Sequence, residues 1–349
     1  MEQNVIYNVG CIDGIKKLPP NSINTCISSP PYWALRDYGV DGQIGLEPTP
    51  EMFIEKMVEV YREVKRVLKD NGTCWINIGD TYFGGGFGLE DLTEEEFKAK
   101  YTKQGTNKGA GGSPTLRKKM NGLRKCKIQG LKAKDLIGIP WMLAFALRND
   151  GWYLRQDIIW EKPNAMPESV TDRCAKSHEY IFLLSKSSKY YFDNESIKKD
   201  ASPKTNARVS KKVMRTPRPE IDTKGGNQGN GGIPVVGKMQ PKGQGNRNNP
   251  SFNSHLIQVM KKVNKRSVWT VPNKPFKEAH FATFPEKLIE DCIKAGCPEN
   301  GIVLDPFMGA GTTAVAARKL NRNYIGFELN PEYIEIANKR LTEELGIFI

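Results

Sequence analysis

The stretch from Ile302 to Glu328 restricts the fold more than any other part of the chain. Ile302, Val303 and Leu304 form a short β-prone run that ends at an acid, Asp305, after which the residues up to Thr313 turn into a helical run over 314–320. A second β-prone run, Tyr324 to Phe327, ends at another acid, Glu328. Strand, glycine turn, helix and strand in that order close most simply as a crossover between parallel strands, a unit that needs helices covering the sheet. Gly309 and Gly311 in the turn let the backbone approach a ligand closely. No lysine follows them, so a phosphate-binding NTPase loop is disfavoured, and Asp305 is a poor neighbour for a pyrophosphate. An acid there suits a cationic ligand such as an amino acid's ammonium group. Glu328 stands about where doubly wound folds place the acid that grips a ribose hydroxyl pair.

A second strand end carries another candidate chemistry. Asn24 to Ile27 is a short run ending at Ser28, Ser29, Pro30, Pro31, Tyr32 and Trp33. Two prolines fix φ and remove two backbone donors. What remains is the Ser29 hydroxyl and the Pro30 carbonyl, both acceptors, beside the flat faces of Tyr32 and Trp33. That is a socket for a planar amine. Two acceptors on the exocyclic amine of cytosine or adenine would turn its lone pair toward an electrophile, with the ring stacked on Tyr32 or Trp33. A strand followed by a proline turn without chemistry is the simpler alternative for these four residues alone.

The rest of the chain alternates strands and helices. Val5 to Val9 reads as a strand, Asp13 to Leu18 as a helix, and Pro50 to Leu68 as an amphipathic helix with apolar residues at three- and four-residue steps and a stop at Asp70, Asn71 and Gly72. Thr73 to Ile78, Tyr153 to Trp160 and His178 to Ser185 read as strands, Ile139 to Asp150 as a helix closed near Gly151, and Pro285 to Lys294 as a helix. The expectation is a doubly wound, mostly parallel, Rossmann-like α/β sheet carrying irregular insertions. Two stretches interrupt it: residues 84–134, rich in Gly and Lys, and residues 196–266, rich in Gly, Asn, Pro and Lys.

Charge singles out the second insertion. The chain of 349 residues has a formal net charge of +13, and residues 196–266 alone hold sixteen basic side chains against three acidic ones. The remainder is therefore neutral, and the basic segment reads as a nucleic-acid contact rather than a solvated linker. Seven cysteines, odd in number and without paired CxxC spacing, indicate neither a disulfide framework nor a zinc site. His178, His255 and His280 lack metal-spaced partners, and no metal is expected. The N-terminal residues show no signal pattern and no apolar run nears membrane-spanning length, so a reduced cytoplasm and no membrane association are expected.

Taken together, FMGAGTT after an acid-ended strand, SPPY in an earlier segment and a basic region between them resemble the amino-methyltransferases of DNA in the permuted order called the β class. The resemblance covers most of the chain apart from the two inserts. It implies a methyltransferase sheet in which residues 1–195 carry the catalytic part, 196–266 the target-recognition insert and 267–349 the cofactor part of the same domain. It implies S-adenosylmethionine as cofactor and double-stranded DNA as partner, and is compatible with a cognate restriction endonuclease and with a monomer or homodimer. By that likeness Ser29, Pro30, Pro31 and Tyr32 are catalytic, and Phe284, Asp305, Phe307, Gly309, Gly311, Thr312 and Glu328 bind the cofactor. Ala279 to Leu288 resembles the family's cofactor-flanking motif. Where relatives often carry an acid near the first strand's end to meet the cofactor adenine, this chain has Gly10, with Asn8 and Asp13 nearby.

The reaction expected is methyl transfer to cytosine N4 after base flipping, with adenine N6 as the alternative, because serine heads the motif in most cytosine enzymes and aspartate in most adenine ones. A covalent C5 route would need a thiolate, and the one Cys-Pro pair, Cys297 and Pro298, lies far from the socket. An RNA or protein amide methyltransferase would not obviously need the long basic insert, and a non-catalytic DNA-binding module would not need FMGAGTT.

Overall fold

The structure is a computed structural model that describes residues 2–35, 38–83, 130–132, 134–201, 262–273 and 284–346. Most of the two insertions and residues 279–283 of the flanking motif lie outside the described residues. The chain divides into two units, residues 1–197 with 266–349, and residues 198–265. Among its described residues the second unit contains an antiparallel ribbon of β6 (Lys199–Asp200) and β7 (Lys262–Val263).

The first unit is built on eight strands: β1 (Val5–Asn8), β2 (Ile23–Ser28), β3 (Leu68–Ile78), β4 (Tyr153–Glu161), β5 (His178–Ser185), β8 (Val268–Thr270), β9 (Ile302–Asp305) and β10 (Asn323–Glu328). Their order across the sheet is β1-β10-β9-β2-β3-β5-β4-β8. All pairs are parallel except β3 with β5 and β5 with β4. Among the described residues, six helices flank it: α1 (Cys11–Lys16), α2 (Pro50–Val67), α3 (Ile139–Asn149), α4 (Glu286–Gly296), α5 (Thr312–Lys319) and α6 (Pro331–Leu345). The doubly wound, mostly parallel architecture expected from the sequence is present.

Alternation along the strands decides which helix meets which face. Cys26, Cys74, Ile76, Phe182 and Leu184 point to one core with Phe53, Met57, Val60 and Tyr61 of α2 and Leu143 and Leu147 of α3. Their neighbours Ile27, Trp75, Ile181 and Leu183 point to a second core with Leu288 and Ile289 of α4, Ala314 and Val315 of α5 and Leu341 of α6. Strands buried on both faces run apolar at successive steps, as Cys74 to Ile76 of β3 and Ile181 to Leu184 of β5 do. Each fully buried large side chain contributes about 1.5–3 kcal/mol of transfer free energy.

Local signals set most boundaries. Helix α2 starts because Thr49 Oγ1 accepts from Met52 N at 3.3 Å and Pro50 fits the first helical turn. Its end falls within one residue of the expectation, but the residues read as its stop do something else. The chain turns extended at Leu68 (φ −63°, ψ 140°), and Asp70, Asn71 and Gly72 lie inside β3, where the register against β2 jumps from Ile23–Leu68 to Thr25–Thr73. The presumed stop is an irregularity of register inside the strand. Helix α3 begins at Gly138, and Asp80 supplies its cap from another strand's end: the Asp80 carboxylate accepts from Gly138 N at 3.0 Å and Ile139 N at 3.2 Å. Strand β8, three residues beside β4, had no distinct signature in the basic stretch before it.

Candidate active site

The strand order reverses direction between β9 and β2: from β9 the chain proceeds through α5 to β10 on one side, and from β2 through α2 to β3 on the other. Ligands in open α/β sheets bind at the carboxyl ends of strands at such a switch point. Thr25 and Cys26 pair with Val303 and Leu304, so the SPPY loop after β2 and the glycine loop after β9 emerge side by side. A cavity of about 690 Å³ opens there. It is lined by Ser29, Pro30, Pro31 and Tyr32 together with Phe284, Phe307, Gly309, Thr312 and Glu328.

The glycine loop is held from within. Asp305 is buried; its Oδ1 accepts from Phe307 N at 3.0 Å and its Oδ2 from Thr313 Oγ1 at 2.5 Å. It is not among the cavity-lining residues, and its carboxylate ties the loop to the start of α5. Burial pushes it up to about 7, with Thr313 and Phe307 pulling it down. Gly311 does not line the cavity either. With φ +78° it ends the loop, and a Cβ there would lie 2.8 Å from the Cβ of Ala337 on α6. Gly309 lies in the cavity wall at φ +52° with open space where a side chain would be, and its N–H donates to Glu328 Oε2 at 2.9 Å. Glu328 Oε1 accepts from Asn330 N at 2.9 Å. Burial raises the Glu328 carboxyl, against these backbone donors. Arg340 of α6 braces the loop from behind by donating to Thr312 Oγ1 at 2.9 Å, and its guanidinium also reaches Glu286 at 2.6 Å.

Near the first strand, Gly10, Cys11 and Asp13 line the cavity, whereas Asn8 donates through Nδ2 to the carbonyls of Glu328 (3.0 Å) and Leu329 (2.9 Å). Asn8 is a stitch between β1 and β10, which leaves Asp13 as the acid in the wall.

The SPPY loop departs from the expectation at Trp33. Its ring is buried in the core with α2, and Nε1 donates to the Glu47 carbonyl at 2.9 Å, so it cannot stack on a base. Proline disrupts the two-residue alternation that would otherwise orient consecutive side chains, and the loop folds back so that Ala34 N donates to the Gly45 carbonyl at 2.8 Å. Tyr32 is half-buried in the cavity wall. Its hydroxyl donates to Glu179 Oε2 at 2.7 Å, and burial, then Glu179, pushes its phenol well up. Its ring lies against Gly79, where a Cβ would sit 2.7 Å from Cε2.

Three cavity-lining residues that brace the socket, Glu179, Asn77 and Lys162, carry no motif in the sequence. Glu179, at the start of β5, takes Tyr32 and Asn77 Nδ2 (3.1 Å) on one oxygen and the Lys162 ammonium on the other. Asn77 Nδ2 also donates to the Tyr180 carbonyl at 3.2 Å, which fixes the amide and aims Oδ1 at Ser29, whose hydroxyl reaches it at 3.5 Å. Lys162 lies 4.3 Å from the ring centre of Trp160. An amide inside the apolar run Thr73 to Ile78 was the one available signal for Asn77; Glu179 and Lys162 come together only through antiparallel pairing.

The six described cysteines are free thiols; burial pushes Cys11 and Cys297 up to about 12. Cys297 closes α4 in the second core, away from the cavity lining. Among the described residues no helix is long and apolar enough to cross a membrane.

Known proteins resemble this chain in sequence and in fold. A family model described as DNA methylase, for the N6/N4 group, matches residues 23–339. The Type II methyltransferase M.Cfr9I of Citrobacter freundii is 41% identical over 97% of this chain and 88% of its own length, and M.SmaI of Serratia marcescens is 41% identical over 94% and 87%. Among solved structures, the PvuII DNA methyltransferase (cytosine-N4-specific) superposes with a TM-score of 0.55 at 14% identity, covering 97% of this chain and 86% of that one. A DNA modification methylase of Thermus thermophilus, complexed with S-adenosyl-L-methionine, gives 0.52 at 19% identity, covering 97% and 93%. The chain belongs to the N6/N4 family of DNA methylases, S-adenosylmethionine-dependent methyltransferases.

Proposed function

We propose that the chain methylates the exocyclic N4 of cytosine in duplex DNA by flipping the base and transferring the methyl group directly. The observation that carries this reading is one cavity holding both the Ser29 socket and the wall of Gly309, Thr312 and Glu328. The cofactor supplies a methyl group activated on a sulfonium, so the protein needs acceptors and positioning more than a strong base. Glu328 is the acid for a ribose hydroxyl pair, Asp13 the acid for the adenine end, and Phe284, Phe307 and Thr312 complete the wall. Asp305 and Gly311 hold the loop in shape. In the socket, Asn77 accepts the Ser29 hydroxyl proton and leaves the oxygen lone pairs to face an amine. With the Pro30 carbonyl, Ser29 grips the two amine hydrogens, while Pro31 and Tyr32 wall the ring.

Cytosine is favoured over adenine because the first motif position is a neutral serine, and the PvuII enzyme, described as cytosine-N4-specific, shares the fold. Residues 196–266 are the target-recognition segment, and Type II names among relatives favour a restriction endonuclease partner in the cytoplasm. DNA methylated in vitro, digested to nucleosides and resolved by mass spectrometry, is expected to yield N4-methylcytosine. N6-methyladenine as the sole product overturns the base assignment.

A further inference from the structure

We propose that Met166 enters the duplex and occupies the gap that the extruded target base leaves. The inference rests on the DNA-methylating function above. A base in the helix cannot reach Ser29 inside the cavity, so it must leave the stack, and the helix then carries an unstacked gap. Apolar side chains, methionine among them, are the groups that wedge between base steps in other DNA complexes. Met166 is 82% exposed, more than any other large apolar side chain among the described residues.

Exposure alone would mean little, since scattered apolar side chains are normal on a surface. Place and support distinguish this one. Met166 lies on the cavity lining, four positions beyond Lys162, whose ammonium holds Glu179 and through it Tyr32 and Asn77. Exposed and lining the cavity, it stands at the cavity's rim, on the chain segment that continues from the lysine bracing the socket. The turn that presents it is braced: Ala165 N donates to the Lys162 carbonyl at 3.1 Å and Lys162 N to the Ser177 carbonyl at 2.8 Å. Asn164 exchanges hydrogen bonds with the Asn273 backbone at 2.9 and 2.8 Å. Pro163 and Pro167 flank the tip and stiffen it. Beyond it, Arg173 reaches Glu168 at 2.7 Å and covers the Tyr82 ring at 3.9 Å. An unbranched apolar side chain on a stiffened turn has no core to fill here, and it can adapt to the irregular space between base pairs.

The test uses the full chain with a target sequence found by sequencing DNA from cells that express it. Single-turnover methylation and S-adenosylmethionine affinity are measured for wild type, Met166→Ala, Met166→Leu and Leu35→Ala, the last removing the other exposed large apolar side chain of the cavity lining. Each is assayed on a matched duplex and on one whose target base faces an abasic site, where extrusion costs little. Met166→Ala is expected to slow methylation about tenfold or more on the matched duplex and to recover to within about threefold of wild type on the abasic one. Met166→Leu should stay near wild type, and cofactor affinity should not change. Equal slowing on both duplexes, no slowing, or rescue seen for Leu35→Ala instead overturns the role of Met166. A wild-type protein that methylates neither duplex overturns the underlying function, whatever the variants do.

Discussion

Asp305 is a carboxylate placed where its charge is costly, and pH exposes that cost. Burial lifts it from an ordinary 3.8 to about 7, while hydrogen bonds from Thr313 and Phe307 N–H limit the rise and the nearby Glu328 adds to it. Between about pH 4 and pH 7 the folded chain keeps a proton on Asp305 that the unfolded chain has lost. The native state then binds more protons, so this group makes stability fall as pH rises through that window, and its contribution is constant above it. Glu328, also raised by burial, acts with the same sign. Asp305→Asn removes the titration and keeps an acceptor for Phe307 N–H. Its Tm should decline less than wild type between about pH 5 and pH 8. Parallel Tm curves for the two proteins would show that Asp305 ionises normally in its buried position. The residue scale is also where sequence reading reached its limit. Asp305 was legible as an acid at a strand end, but its inward direction depends on Thr313, eight residues further on in α5. Of the two rings the motif offers for stacking, Trp33 is turned into the core, because alternation gives no orientation within a proline loop.

At the scale of elements, the glycine loop joins β9 to α5 with two glycines that do different jobs. Both have positive φ, but only at Gly311 does the partner helix α6 leave no room for a side chain, with Ala337 Cβ 2.8 Å and Ala337 Cα 3.2 Å from an added Cβ. Gly311→Ala should therefore lose about 2–4 kcal/mol in urea unfolding, the left-handed strain plus overpacking. Gly309→Ala meets open space and should lose only about 1–2 kcal/mol, the strain alone. Equal losses would mean that α6 moves aside freely. Elements were the most legible level of this protein. Helix α2 announced itself by apolar steps and a proline at its start, and β9 and β10 by short apolar runs ending in acids. Signals of stopping were less reliable, since Asp70 to Gly72 read as a helix end and instead form an irregular stretch inside β3. Pairing across the antiparallel strands β4 and β5, which brings Lys162 to Glu179, leaves no local trace in either strand.

For the whole molecule, the decisive event is that β2 and β9, almost 280 residues apart in sequence, pair at the switch point and bring two loops to one cavity. Resemblance of the motifs implied that meeting; only the strand order shows it. The charge distribution works at the same scale. Residues 1–195 and 267–349 are neutral in sum, and the excess of +13 falls in 196–266, so a polyanion is attracted to that segment more than to the sheet. Each phosphate neutralised by a lysine or arginine releases counterions, giving a log–log salt slope of about −0.9 per phosphate. Replacing Lys211, Lys212, Arg215 and Arg218 together by glutamine, within the full chain, should weaken binding to mixed-sequence duplex DNA. It should also make the salt slope shallower by about 0.9 for every phosphate no longer neutralised, up to about 3.6 for all four. Anisotropy titrations from low to physiological salt, with S-adenosylmethionine affinity measured alongside, separate this from misfolding. A variant with unaltered cofactor affinity and an unaltered salt slope would show that these four cations do not meet phosphates, and that the segment's charge keeps the chain soluble without guiding it to DNA.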